Sequence, residues 1–203
     1  MKIICIGRNY AEHAKEMNSA IPSEPVFFLK PDTSLIKDNQ PFYYPDFSKE
    51  IHHEVELVLK INKPGKNIQT QFANKYYNEI GIGIDFTARD IQAECKKNGL
   101  PWEKAKAFDG AAPIGKFIDK KQFTDEKNIN FHLKINGNNV QEGNTKDLLF
   151  SFDMIIAYIS KYFTLRTGDL IYTGTPEGVG PVKIGDRLEA FIEDQKLLDF
   201  EIK

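Results

Sequence analysis

The chain has 203 residues, 41% of them hydrophobic, and a net charge of −2 from 27 basic and 29 acidic side chains. That length can bury a core without disulfides or structural metals, and the scattered, nearly balanced charge excludes an electrostatic binder of nucleic acids or membrane surfaces. Two cysteines exclude a disulfide framework or a zinc cluster, and no apolar run is long enough for a signal peptide or a bilayer span, so the expectation is one compact domain over residues 1–203 in a reducing cytoplasm.

In chain order, Ile3-Ile4-Cys5-Ile6 reads as a strand, and Gly7-Arg8-Asn9-Tyr10 turns it into a short helix from Ala11 to about Ala20, ended by Pro22 and Pro25. Val26-Phe27-Phe28-Leu29 is a buried strand stopped by Lys30-Pro31, and the Pro- and Asp-rich stretch to Asp46 reads as loop with short strands. In His53-Glu54-Val55-Glu56-Leu57-Val58-Leu59 the two glutamates share one strand face, opposite Val55, Leu57, Leu59 and Ile61. Lys63-Pro64-Gly65-Lys66 is a turn, residues 70–77 look helical, and residues 79–84 form a strand ending at Asp85. A helix over residues 87–97 stops at Gly99 and Pro101. Residues 131–138 form a strand running into an Asn136-Gly137 hairpin turn, residues 151–162 carry helical spacing, and residues 170–172 and 187–192 are strands flanking a Gly- and Pro-rich loop. Strands dominate without regular βα alternation, which predicts an α+β, mainly β fold with a mixed sheet.

Several groups of residues carry candidate chemistry, each beside a plainer reading. Glu54 and Glu56 on adjacent same-face positions repel unless a cation lies between them, and with Asp85 they offer the all-oxygen donor set that suits Mg²⁺, Mn²⁺ or Ca²⁺. The plain alternatives are a solvated polar face for the glutamates and a helix cap for Asp85. His13 and Glu16, three apart on the first helix, are either an acid–base pair on a lid or a surface contact. Arg89 and Gln92 share a helical face, lysines sit among apolar residues in Pro101-Trp102-Glu103-Lys104-Ala105-Lys106, and Thr173-Gly174-Thr175-Pro176 can present N–H groups and hydroxyls to an anion; each also reads as exposed surface. His52 and His53 flank the acids on opposite faces and are structural by default.

Taken in order, Gly7-Arg8-Asn9-Tyr10 with His13 and Glu16, Phe28-Leu29-Lys30-Pro31, His53-Glu54-Val55-Glu56-Leu57, Asp85-Phe86-Thr87-Ala88-Arg89-Asp90, Lys106 and Thr173-Gly174-Thr175-Pro176 resemble the fumarylacetoacetate hydrolase family over nearly the whole chain. The likeness is to the short, single-domain members, acylpyruvase and oxaloacetate decarboxylase among them. It implies the mixed β-sheet roll of that family's C-terminal domain, Mg²⁺ or Mn²⁺ held by Glu54, Glu56 and Asp85, a homodimer, and a lid over residues 8–22 carrying His13 and Glu16. It also implies that Lys106, Arg89, Gln92 and Thr175 line the pocket, with Arg8 and Lys30 in matching motifs. The fourth metal carboxylate of the long founder enzyme has no counterpart.

The activity so implied is metal-dependent cleavage of a C–C bond in a small 2-oxo acid, by 3-acylpyruvate hydrolysis or oxaloacetate decarboxylation through a pyruvate enolate. Glu16 would orient His13 to activate water, Lys106 and Arg89 would hold anionic oxygens, and three carboxylates around a dication would leave about one unit of negative charge. Two alternatives stand beside it: an isomerase or tautomerase of hydroxyheptadienedioate or oxaloacetate type, and a catalytically silent metal-binding protein.

Overall fold

The computed structural model describes residues 1–16 and 20–203. In chain order the elements are β1 (Ile3–Gly7), α1 (Ala11–Glu16), β2 (Val26–Lys30), β3 (Leu35–Ile36), β4 (Ile51–His53), β5 (Val55–Ile61), α2 (Thr70–Ala73), β6 (Tyr77–Ile84), β7 (Thr87–Ala88), α3 (Arg89–Asn98), α4 (Glu103–Lys106), β8 (Ala112–Asp119), β9 (Asn130–Ile135), β10 (Asn138–Asn144), α5 (Phe152–Tyr162), β11 (Leu170–Tyr172), β12 (Gly180–Pro181), β13 (Arg187–Ile192) and β14 (Gln195–Glu201). The architecture is mainly β with short helices, as the strand-dominated sequence predicts. Among the described residues no helix is long and apolar enough to cross a membrane.

The largest sheet has the order β2-β1-β11-β5-β6-β8-β3 and is mixed: β1 pairs with β11, and β3 with β8, in parallel, while the other pairs are antiparallel. A four-stranded antiparallel sheet (β10-β9-β13-β14) and a small one (β12-β4-β7) complete the strands. The main core runs between the sheets and α5, where Leu57, Leu59, Ile80, Ile82, Leu133 and Ile155 are almost completely buried. Val58 and Cys5 pack on the other side of the large sheet with Tyr172, so β5 is buried on both faces rather than half solvated. Its period-two pattern marks where the carboxylates point but not a wet face.

Sheet order is what gathers the site. Parallel β1 and β11 finish side by side, antiparallel β5 begins beside the end of β11, and antiparallel β6 ends beside the start of β5, with Val55 opposite Ile84. Arg8, Thr173 to Thr175, Glu54 and Asp85 therefore emerge at one end of the sheet, although 167 positions separate the first from the last of these in sequence.

Several boundaries differ from the sequence reading. The first helix is assigned over Ala11–Glu16; residues 17–19, and with them part of the expected 8–22 lid, lie outside the described residues. The helix expected over 70–77 stops at Ala73, because Tyr77 is drawn into β6 opposite Ile61. Residues 87–88 join β4 as β7, so α3 starts at Arg89; it ends, as expected, at Gly99, whose φ of 63° lets its N–H reach the Cys95 and Lys96 carbonyls. Strands β8 and β14 are not signalled by the sequence, since Pro113, Gly115 and Lys116 interrupt one apolar pattern and Lys196 and Asp199 the other.

Asn9 pins the turn after β1. Its Nδ2 donates to the Phe150 carbonyl at 3.1 Å and the Thr173 carbonyl at 2.8 Å, while its Oδ1 accepts from the Phe150 N–H at 2.7 Å. All three bonds are buried, so truncating the amide strands backbone groups that water cannot reach. Asn9→Ala is expected to cost about 2–3 kcal/mol of stability, read as a lowered urea midpoint at unchanged slope.

Candidate active site

Glu54 occupies the break between β4 and β5, Glu56 is the second residue of β5, and Asp85 follows the last residue of β6. The Asp85 N–H donates to the Glu54 carbonyl at 2.8 Å, which brings the two carboxylates together across the strand ends. One oxygen from each of Glu54, Glu56 and Asp85 falls in a group whose members lie within 4.8 Å of one another, and all three side chains are buried. Asp85 does not cap α3, whose N-cap is Ala88 without a side-chain bond, and the glutamates form no solvated face. Both plain alternatives for the acids are therefore set aside.

Such convergence needs compensating charge. Lys106 Nζ donates to Glu54 Oε2 at 2.8 Å and to Asp85 Oδ2 at 3.0 Å. Arg89 donates to Glu54 Oε1 at 2.6 Å and to Gln92 Oε1 at 2.7 Å, and the Thr87 hydroxyl adds a bond to the same Glu54 oxygen at 2.9 Å. Lys30 Nζ lies 2.7 Å from Asp85 Oδ1 and donates to the carbonyls of Ala111 and Phe86 at 2.7 and 3.1 Å. Three carboxylates thus face three cations, so a bound dication would leave the cluster near +2, not at the −1 that the carboxylates alone suggest.

Glu56 is the exception. Among the described residues no cation pairs with it, and its direct bond is from the Gly174 N–H to Oε2 at 2.7 Å. Burial, then the neighbouring Asp85 and Glu54 charges, push its carboxyl well above the usual carboxylate range. Burial also raises Glu54, but Lys106 and Arg89 outweigh it and hold that carboxyl below its ordinary value. For Lys106, burial favours the neutral amine, yet Asp85 and Glu54 prevail and keep the ammonium more basic than a free lysine. The all-oxygen donors, their convergence and the uncompensated repulsion at Glu56 fit a hard divalent cation held by Glu54, Glu56 and Asp85.

Of the residues singled out by sequence, Arg8, His13, Glu54, Glu56, Asp85, Arg89, Gln92, Lys106 and Thr175 line one pocket. Glu16 stands behind His13, with Oε2 3.1 Å from Nδ1 and Oε1 accepting from the Gly178 N–H at 3.1 Å. Lys30, which the resemblance places in a matching motif, is not among the lining residues: its fully buried ammonium braces Asp85 from behind. Gln141 carries no sequence signal, yet its Oε1 accepts from His53 Nδ1 and the Val55 N–H at 2.9 and 3.0 Å, and its Nε2 donates to Thr175 Oγ1 and the Pro176 carbonyl at 2.9 and 3.0 Å. One amide thereby fixes the strand break at Glu54 against the Thr175 loop. Phe28, Lys96 and Trp102 also line the pocket, and of these Lys96 was legible, being seven residues after Arg89 on one helix.

Residues 2–203 match the fumarylacetoacetate hydrolase C-terminal family, and the chain belongs to it. It is 45% identical over 201 residues to the mitochondrial oxaloacetate tautomerase FAHD1 of Mus musculus, covering 99% of this chain and 91% of that protein. It is 44% identical over 197 residues to the oxaloacetate tautomerase YcgM of Escherichia coli, covering 97% and 90%. Among solved structures, the fumarylpyruvate hydrolase of Pseudomonas aeruginosa in complex with Mn²⁺ and pyruvate superposes with a TM-score of 0.93 at 35% identity, over 100% of this chain and 89% of the other.

The Glu56 environment sets a pH dependence. Unfolded, this carboxyl ionises near its ordinary 4.5; folded, it retains its proton to higher pH, so the unfolded chain binds fewer protons in between and stability falls as pH rises through that window. Metal-free protein is expected to lose more stability between about pH 5 and pH 8 than Glu56→Gln, in urea titrations at both values. Divalent-cation binding to the wild type is expected to release a proton, seen as a heat that varies with buffer ionisation enthalpy in calorimetry, and Asp85→Asn is expected to abolish the binding.

Proposed function

We propose that this chain is a divalent-metal-dependent enzyme of small 2-oxo acids, and that it interconverts the keto and enol forms of oxaloacetate. The observation that carries this reading is the placement of His13, backed by Glu16, in the same pocket as a charge-balanced triad of hard-metal ligands. The extended identity to oxaloacetate tautomerases supports the choice of reaction. It reverses the order of the sequence expectation, in which C–C cleavage led and tautomerisation was the alternative.

Tautomerisation moves one proton from C3 to the oxygen on C2, so atoms balance with no water consumed and no second product. Glu54, Glu56 and Asp85 would hold a divalent cation, Mg²⁺ or Mn²⁺, which would supply Lewis-acid polarisation of the 2-oxo group. His13 takes the C3 proton: Glu16 engages Nδ1, which leaves Nε2 for the substrate and keeps the ring in one orientation. Arg89, held by Glu54 and Gln92, and Thr175, held by Gln141, present donors to the carboxylate oxygens. Lys106 places an ammonium at the pocket floor, where it opposes negative charge developing at the C2 oxygen. The lid role implied by the resemblance for residues 8–22, of which 17–19 lie outside the described residues, and the homodimer and cytoplasmic setting implied by family resemblance and composition belong to the same proposal.

A second reading, hydrolysis of a 3-acylpyruvate or decarboxylation of oxaloacetate, is favoured by the same His13–Glu16 pair, which can equally activate water, and by the likeness to the fumarylpyruvate hydrolase. Products separate the two. Incubation of the metal-loaded protein with oxaloacetate is expected to accelerate keto–enol exchange in the ultraviolet without release of pyruvate or CO₂; rapid pyruvate release, or cleavage of acetylpyruvate, would establish the second reading instead. His13→Ala is expected to slow exchange by about 10²–10⁴-fold while the thermal shift caused by Mn²⁺ is retained, since no metal ligand is removed.

A further inference from the structure

Arg89, Gln92 and Lys96 lie three and four positions apart on α3 and form one stripe facing the pocket. The first two are committed to Glu54 and to each other. Lys96 is exposed at the pocket, and its ammonium lies 5.8 Å from the centroid of the Trp102 ring, which in turn meets Phe28 edge-on at 6.1 Å. Arg8, which lines the same pocket, holds a left-handed backbone with φ of 60°, a conformation that costs a non-glycine residue free energy and that concentrates where a side chain must be aimed. Among the described residues neither Arg8 nor Lys96 is ion-paired with a carboxylate, whereas Lys30, Lys106 and Arg89 are all paired with Glu54 or Asp85. Arg8 and Lys96 are therefore the surplus positive charge of the pocket. Burial, and then the nearby Arg89 and Arg8 charges, lower the basicity of Lys96, so an incoming anion relieves a repulsion already present.

The keto group and adjacent carboxylate of a 2-oxo acid would face the cation that Glu54, Glu56 and Asp85 would hold, which leaves the far end of the molecule unaccounted for. We propose that Arg8 and Lys96 form a second anion subsite that receives the distal carboxylate of a dicarboxylic 2-oxo acid, with Lys96 the determinant of preference for dianionic over monoanionic ligands. This rests on the reading of the pocket as a 2-oxo acid site. The Phe28–Trp102 wall beside Lys96 limits the room behind that carboxylate and favours a short chain between the two acid groups.

Malate and lactate test it, because these inert 2-hydroxy acids share a chelating head and differ in the distal carboxylate. In calorimetric titration of the Mg²⁺-loaded protein, the wild type is expected to bind malate at least about tenfold more tightly than lactate, the scale of one charge-assisted hydrogen bond. Lys96→Met is expected to erase most of that preference by weakening malate alone, and Lys96→Arg to restore it. If Lys96→Met fails to fold, Lys96→Gln carries the same comparison. Equal affinities in the wild type, or equal losses for both ligands in the variant, would overturn the subsite. The outcome is separable from the proposed reaction: a malate preference without oxaloacetate exchange keeps the subsite and removes the tautomerase reading, whereas exchange without the preference does the reverse.

Discussion

Everything at this site depends on holding three carboxylates together in the protein interior. Alone they would repel, and burial would magnify the repulsion because little solvent screens it. The chain answers with Lys30 behind Asp85, Lys106 between Asp85 and Glu54, and Arg89 against Glu54. Buried ion pairs of this kind add little net stability, since desolvating each charge costs roughly what the pairing returns. Their value is orientation: each carboxylate is fixed by donors on one side and keeps lone pairs for the other. Only Glu56 lacks a direct cationic partner, and that deficit is where a divalent cation has most to offer.

The backbone arrangement serves the same end. Because the strand order interleaves parallel and antiparallel neighbours, four strand ends open at one rim of the large sheet, and each delivers part of the pocket. Two buried amides then hold separate stretches of that rim to one another. Asn9 links the turn after β1 to Phe150 and Thr173, and Gln141 links the Glu54 break to Thr175 and Pro176. Neither residue faces substrate, yet each sets the distance between groups that do. Gly83 contributes by absence: a Cβ there would come within 2.7 Å of the Tyr172 ring, which packs behind the triad.

The charge count gives the pocket its chemical bias. With the triad neutralised by its own cations, a bound dication together with Arg8 and Lys96 makes the cavity strongly attractive to anions. Such a site favours small, multiply charged acids over neutral metabolites before any shape is considered. In the proposed function the His13–Glu16 pair is the proton-handling group, which a mere metal-binding scaffold would not need. Among the alternatives raised from sequence, a catalytically silent protein leaves that pair, and the unpaired cations opposite it, without a purpose.

Much of this was present in the one-dimensional pattern. The spacing of Glu54 and Glu56 on a strand, Asp85 at a strand end and Arg89 with Gln92 on one helical stripe follow from fixed periods of two and 3.6 residues, so local geometry alone placed each group correctly. The mainly β character and the cap at Gly99 were legible for the same reason. What only tertiary structure decided is long-range: that β8 and β14 exist despite interrupted patterns, that Lys30 turns inward to brace Asp85, that Gln141 joins two loops, and that three cations cancel three acids. No local period encodes those facts, because each depends on which distant segments the sheet order makes neighbours.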